Sequence, residues 1–152
     1  GAFIRSKIPW VGSVGALDMC NFGAPETVPE RYADRLFYEH NPQVTLMRTT
    51  PEENERFAHF ITERVNEMDG PVRFLIPELG VSALDQAGQP FDDPAAREAL
   101  YSTIAATFEE TANRRLIRLP HHINDPEFAA AAVAALHEIA RPDRRGKNHV
   151  AI

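Results

Sequence analysis

Three short polar runs carry most of the residues in this chain that could do chemistry. Arg48-Thr49-Thr50 places a guanidinium and two hydroxyls directly before Pro51. Gly80-Val81-Ser82 sets a hydroxyl and a permissive backbone link close to Asp85, and His121-His122-Ile123-Asn124-Asp125 gathers two imidazoles, an amide and a carboxylate. A guanidinium and hydroxyls beside a helix N-terminus, with its free N–H groups and partial positive charge, suit a phosphate or carboxylate. Gly80 would let backbone approach a ligand closely, and Ser82 would add a hydroxyl. His121 or His122 could donate a hydrogen bond or act as general acid, with Asn124 completing the pocket. The expected ligand-binding set is therefore Arg48, Thr49, Thr50, Gly80, Val81, Ser82, His121, His122 and Asn124. Should the chain be an enzyme, the reading is a hydrolase of an acyl or phosphoryl bond. His121 or His122 would be its acid or base, and Ser82 or Asp85 would assist.

Each run also has a plainer explanation. Thr50-Pro51-Glu52-Glu53 is a capping box with proline at the first helical position, and Asp93-Pro94 and Asp125-Pro126 repeat the cap and the proline. Arg48 could be a surface charge. Adjacent histidines point apart in an extended chain, and no Cys/His set completes a shell, so no metal site is expected. Gly80 to Ala83 is neither a Walker loop nor Gly-x-Ser-x-Gly, and Gly12-Ser13-Val14-Gly15 lacks the dinucleotide spacing. His40-Asn41-Pro42 reads as structural, and His59 and His137, inside helices, as surface or satisfied residues. The single Cys20 rules out an internal disulfide framework and points to a reducing, cytoplasmic setting; inside an apolar stretch it is expected to be packed.

These runs must be positioned by regular elements. Val11 to Met19, Val44 to Arg48, Val72 to Pro77 and Arg115 to Pro120 are short apolar runs that read as strands. Pro51 to Met68, Pro94 to Glu110 and Pro126 to Ala140 read as helices. Their stripes run Phe57, Phe60, Ile61, Val65 and Met68; then Leu100, Ile104 and Phe108; then Phe128, Val133, Leu136 and Ile139. Asn21 to Asn41 reads as a loop with a short helix near Glu30 to Leu36. Alternating strands and helices predict an α/β, Rossmann-like three-layer domain with a mostly parallel sheet of at least four strands. In such a sheet ligands bind beyond the carboxyl ends of the strands, where the three polar runs fall. A chain of 152 residues with 43% hydrophobic content is long enough for one buried core. Residues 1–140 are expected to form one subdomain of a longer protein, followed by a polar tail at 141–152. A net charge of −6 gives no field to draw nucleic acid or an anionic membrane, and no apolar run is long enough to span one.

Six motifs in order add a resemblance: Gly15-Ala16-Leu17-Asp18-Met19, Thr27-Val28-Pro29-Glu30-Arg31, His40-Asn41-Pro42, Thr45-Leu46-Met47-Arg48-Thr49-Thr50, Gly80-Val81-Ser82-Ala83-Leu84-Asp85 and His122-Ile123-Asn124-Asp125. Over roughly Ile8 to Ala140 the chain resembles the family typified by the ATP-binding N-terminal region of the tomato mosaic virus resistance protein. The resemblance implies two Rossmann-like subdomains, of which this is the second, and ATP with Mg as the ligand. It also implies a partner in the N-terminal subdomain of the same protein, which would share the site. A purely structural half that forms homo-oligomers is the remaining alternative.

Overall fold

The computed structural model describes residues 2–140, so the polar tail expected at 141–152 lies outside the described residues. In chain order the elements are α1 (Ala2–Ser6), β1 (Trp10–Ser13), β2 (Met19–Phe22), β3 (Phe37–Asn41), β4 (Val44–Arg48), α2 (Pro51–Asn66), β5 (Val72–Pro77), α3 (Pro94–Thr107), β6 (Arg114–Leu119) and α4 (Pro126–Ala140). Two 3-10 turns, Pro25–Thr27 and Glu30–Tyr32, lie between β2 and β3.

The parallel sheet has three strands, in the order β1-β5-β6. Central β5 is buried at every residue, as its unbroken apolar run requires. Its side chains alternate between two cores. Val72, Phe74 and Ile76 join Val14, Leu100, Ile104 and Phe108 under α2 and α3, whereas Leu75 packs with Phe128 and Ala135 of α4. The result is a helix–sheet–helix sandwich.

The structure departs from the expected four-stranded parallel sheet at two places. The run from Val11 to Met19 breaks into two strands, because the chain turns through Gly15-Ala16-Leu17 with Ala16 at φ 54°. The first piece stays in the parallel sheet and the second enters another. Val44–Arg48 is the centre of that second sheet, antiparallel to both β2 and β3. Only Pro42 and Gln43 separate β3 from β4, far too short for a parallel crossover. Phe37–Asn41 forms a strand that the sequence does not predict, and the short helix expected near Glu30 to Leu36 is a single 3-10 turn at Glu30–Tyr32.

The helices begin where expected. α2 carries the full capping box: Glu53 N–H donates to Thr50 Oγ1 (3.2 Å) and Thr50 N–H to Glu53 Oε2 (2.8 Å). Asp93 accepts from Ala96 N–H. Asp125 differs, since its carboxylate accepts from His122 N–H at 2.7 Å and not from a helix N–H. α2 buries Asn54, Ala58, Thr62 and Val65, and Phe60 of the expected stripe points outward beneath the Arg64 guanidinium. In α4, Val133 and Leu136 are likewise exposed, because the alanines at 131, 132 and 135 let the helix lie close to the sheet. Cys20 is exposed, not packed, since it lies on the short edge strand β2; partial desolvation, with Glu53 nearby, pushes the thiol pKa up.

Candidate functional site at the carboxyl edge of the parallel sheet

The loops that leave β1, β5 and β6 are tied to one another by backbone. Ala16 N–H donates to Val81 O (2.9 Å), Leu79 N–H to His121 O (3.2 Å) and Ile123 N–H to Gly80 O (3.1 Å). Gly80, at φ +134°, sits in the middle. A Cβ there would fall 1.8 Å from Asp85 O and 2.9 Å from the His122 ring. Here the missing side chain makes room for the protein's own loop and imidazole.

Beneath these loops runs a buried charge network centred on Asp85. Asp85 is wholly buried; its Oδ1 accepts from Arg48 Nη2 and from Arg97 Nη1, both at 2.9 Å, and its Oδ2 from Val81 N–H at 3.1 Å. Two guanidinium partners and a backbone donor are what an ionised carboxylate needs when removed from water. Arg97 also donates to Asp92 Oδ1 at 2.8 Å, and the two bonds outweigh burial in holding its charge. Asp92, exposed, is pulled below the ordinary carboxylate range by Gly88 N–H and Arg97. Thr49 joins the network through Arg48 Nη1 and Asn54 Nδ2, and donates its hydroxyl to Leu17 O at 2.6 Å.

Asp18 is the second buried carboxyl. Its Oδ2 accepts from the Ser82 hydroxyl at 2.6 Å, while Oδ1 has no partner among the described residues. Burial pushes its pKa up and the Asp85 charge adds to the rise; the Ser82 hydrogen bond and Arg48 oppose it incompletely.

The expected site residues fall into two groups. Arg48 and Thr49 are 4% and 1% exposed and occupied by the network, Val81 is core, and Thr50 caps α2. Ser82 donates to Asp18 and accepts from Leu84 and Asp85 N–H, which fills its hydroxyl's capacity. His122 is buried between Asn124 N–H, which donates to Nδ1 (3.1 Å), and Ser82 O, 2.8 Å from Nε2. With Nδ1 accepting, the proton is on Nε2 and points at a carbonyl. The ring therefore meets the carbonyl of Ser82, not its hydroxyl, and the two residues form no nucleophile–base dyad. His121 and Asn124 are different. Neither side chain has a hydrogen-bond partner among the described residues; Asn124 is exposed and His121 half-buried.

Asp18, Asp92 and Arg97 are not among the residues expected from sequence. A carboxylate inside the apolar run Val14 to Met19 was the available signal for Asp18. Nothing comparable marked Arg97, whose partners are 5 and 12 residues away across a loop. Among the described residues no group of three or more His, Cys, Asp or Glu is arranged to hold a metal ion, and no helix is long and apolar enough to cross a membrane.

Fold and edge together define an α/β subdomain with a short parallel sheet and its loops gathered at one end. The chain belongs to the uncharacterised protein family UPF0261, as its C-terminal domain, matched over residues 1–140. It is 60% identical over 142 residues to a UPF0261 protein of Rhizobium meliloti, covering 93% of this chain and 36% of the relative. It is 46% identical over 143 residues to the ToMV resistance protein Tm-1(GCR237) of Solanum lycopersicum, covering 94% of this chain and 19% of that protein. A UPF0261 protein of Clostridium tetani is 42% identical over 132 residues, with 85% and 32% covered. The chain thus spans about a third or less of the relatives' length.

Proposed function

We propose that this domain contributes one wall of a site for ATP with Mg, or for another anionic small molecule, at the carboxyl edge of its parallel sheet. The rest of the site would come from the N-terminal subdomain of the same protein. The observation that carries this reading is the contrast at that edge. The loops after all three parallel strands are tied together, and on them the His121 imidazole and the Asn124 amide remain unengaged. Open α/β sheets take ligands at this end. Gly15 and Ala16, both exposed, bring backbone to the same surface, and Ala16 holds a left-handed φ that is uncommon for a residue with a Cβ.

Arg48, Thr49, Ser82 and His122 enter this reading as the support that fixes the loops, and His121 and Asn124 as the groups that meet the ligand. The guanidiniums of Arg48 and Arg97 are matched by Asp85 and Asp92, so the wall offers hydrogen bonds more than net positive charge. A nucleotide would then need cationic groups or metal from the facing subdomain, and this domain alone would bind weakly. A cytoplasmic protein that pairs its subdomains, or two copies, over this edge fits the reading.

The test is calorimetric titration of the full-length protein with ATP and Mg, comparing wild type with His121→Ala and Asn124→Ala. Each variant is expected to weaken binding about tenfold with an unchanged melting temperature, the loss of one charge-assisted hydrogen bond. Unchanged affinity in both would sink the assignment.

A further inference from the structure

A cavity lies on the far face of the antiparallel sheet. Side chains alternate along a strand, so Leu46 and Arg48 of β4 face the charge network while Thr45 and Met47 face away from it. Between that outer face and the segment carrying the two 3-10 turns is a cleft of about 320 Å³. Pro25, Val28, Pro29, Ala33 and Phe37 supply its apolar lining, and Glu30, Glu39 and Thr45 are its polar residues.

Two features distinguish it from a packing gap. Thr45 is only 4% exposed, yet its Oγ1 has no hydrogen-bond partner among the described residues. Such buried hydroxyls are rarely left unpaired. Thr45 stands directly opposite Glu39 in the β3–β4 register, so the two side chains are neighbours on one face. The second feature is charge. Among the described residues Glu30 and Glu39 are exposed and form no ion pair, and the nearby guanidiniums make other contacts. Arg31 lies over the Tyr32 ring at 4.7 Å, and Arg35 is bound to Glu53 at 2.6 Å. The cleft therefore combines apolar walls, two uncompensated carboxylates and an unpaired hydroxyl, within a chain of net charge −6.

We infer that this cleft is a binding site for a small organic cation, an aliphatic amine or guanidine. The apolar stem packs against Val28, Pro29 and Phe37; the charged head bonds to Glu30 and Glu39, and Thr45 Oγ1 accepts a further N–H. The volume is at the lower end of small-molecule pockets, which suits a short amine and not a nucleotide. The site is independent of the carboxyl-edge reading.

The experiment is an amide chemical-shift titration of the isotope-labelled chain with n-pentylamine, 1-pentanol and n-butylguanidine. Saturable shifts at Val28, Glu30, Ala33, Phe37, Glu39 and Thr45 are expected for both cations, with the alcohol about tenfold weaker. Glu30→Gln with Glu39→Gln should remove that preference while leaving the weak alcohol binding as a control for folding. Equal affinity for amine and alcohol, shifts that do not saturate, or shifts mapped elsewhere would each overturn the proposal.

Discussion

The two sides of this domain are held together by different physics. Under α2 and α3 the parallel sheet rests on Val14, Val72, Phe74, Ile76, Leu100 and Ile104, all at 1% exposure or less. Where the antiparallel sheet meets the long loop after β5, the edge-on contact of Tyr38 with buried Phe91 is joined by the chain of Asp18, Ser82, Asp85, Arg48 and Arg97. Apolar packing is non-directional and tolerates compensating changes. A buried ion network requires its partners in fixed positions, and losing one member leaves the others unpaired. The polar side therefore positions loops more sharply and is more easily broken by a single substitution.

Four substitutions probe this difference. Asp85→Ala would leave the buried Arg48 guanidinium without its carboxylate and Arg97 with Asp92 alone, and should cost about 3–5 kcal/mol in urea unfolding. Phe74→Ala, the matching lesion in the apolar side, should cost a similar ~3–5 kcal/mol by opening a cavity. The two should separate in binding: Asp85→Ala also disorders the carboxyl edge, whereas Phe74→Ala leaves ATP affinity intact at temperatures where the protein is folded. Equal effects on binding would erase the distinction. Thr50→Ala removes the capping box of α2 and should cost about 1 kcal/mol, with no effect on the edge loops.

The smallest effect has the opposite sign. The Asp18 carboxyl is raised above its ordinary 3.8 by burial, so the folded state holds its proton more tightly than the unfolded chain. Its stabilisation is complete below the ordinary carboxylate value and is lost as pH rises through the raised one. Asp18→Asn, which cannot ionise, should gain stability over wild type as pH increases, seen as diverging urea midpoints. Glu53 works the other way: hydrogen bonds from Arg35 and Thr50 N–H outweigh burial and lower it, so its contribution fades as pH falls.

Much of this architecture was legible in the residues. The three proline-started helices and strands β5 and β6 follow from apolar period and caps, signals local to each segment. The antiparallel sheet was not read, although its hairpin had a local mark in Asn41-Pro42-Gln43 between β3 and β4. Strand direction depends on connection length, and the aromatic run Phe37-Tyr38 was absorbed into a loop. At the carboxyl edge, residue type marked the polar loops but not which of their side chains face outward. Arg48, Ser82 and His122 are chemically capable yet engaged, because their partners Asp85, Asp18 and the Ser82 carbonyl come from segments far away or folded back. Only tertiary contact separates them from His121 and Asn124, which lie in the same short run.

The most direct test of the central claim is hydrogen–deuterium exchange of the full-length protein with and without ATP and Mg. The account predicts slowed exchange in three stretches together, residues 14–17, 79–83 and 120–124, the loops tied at the carboxyl edge. Protection confined to residues 25–45, or no protection anywhere in this domain, would contradict it.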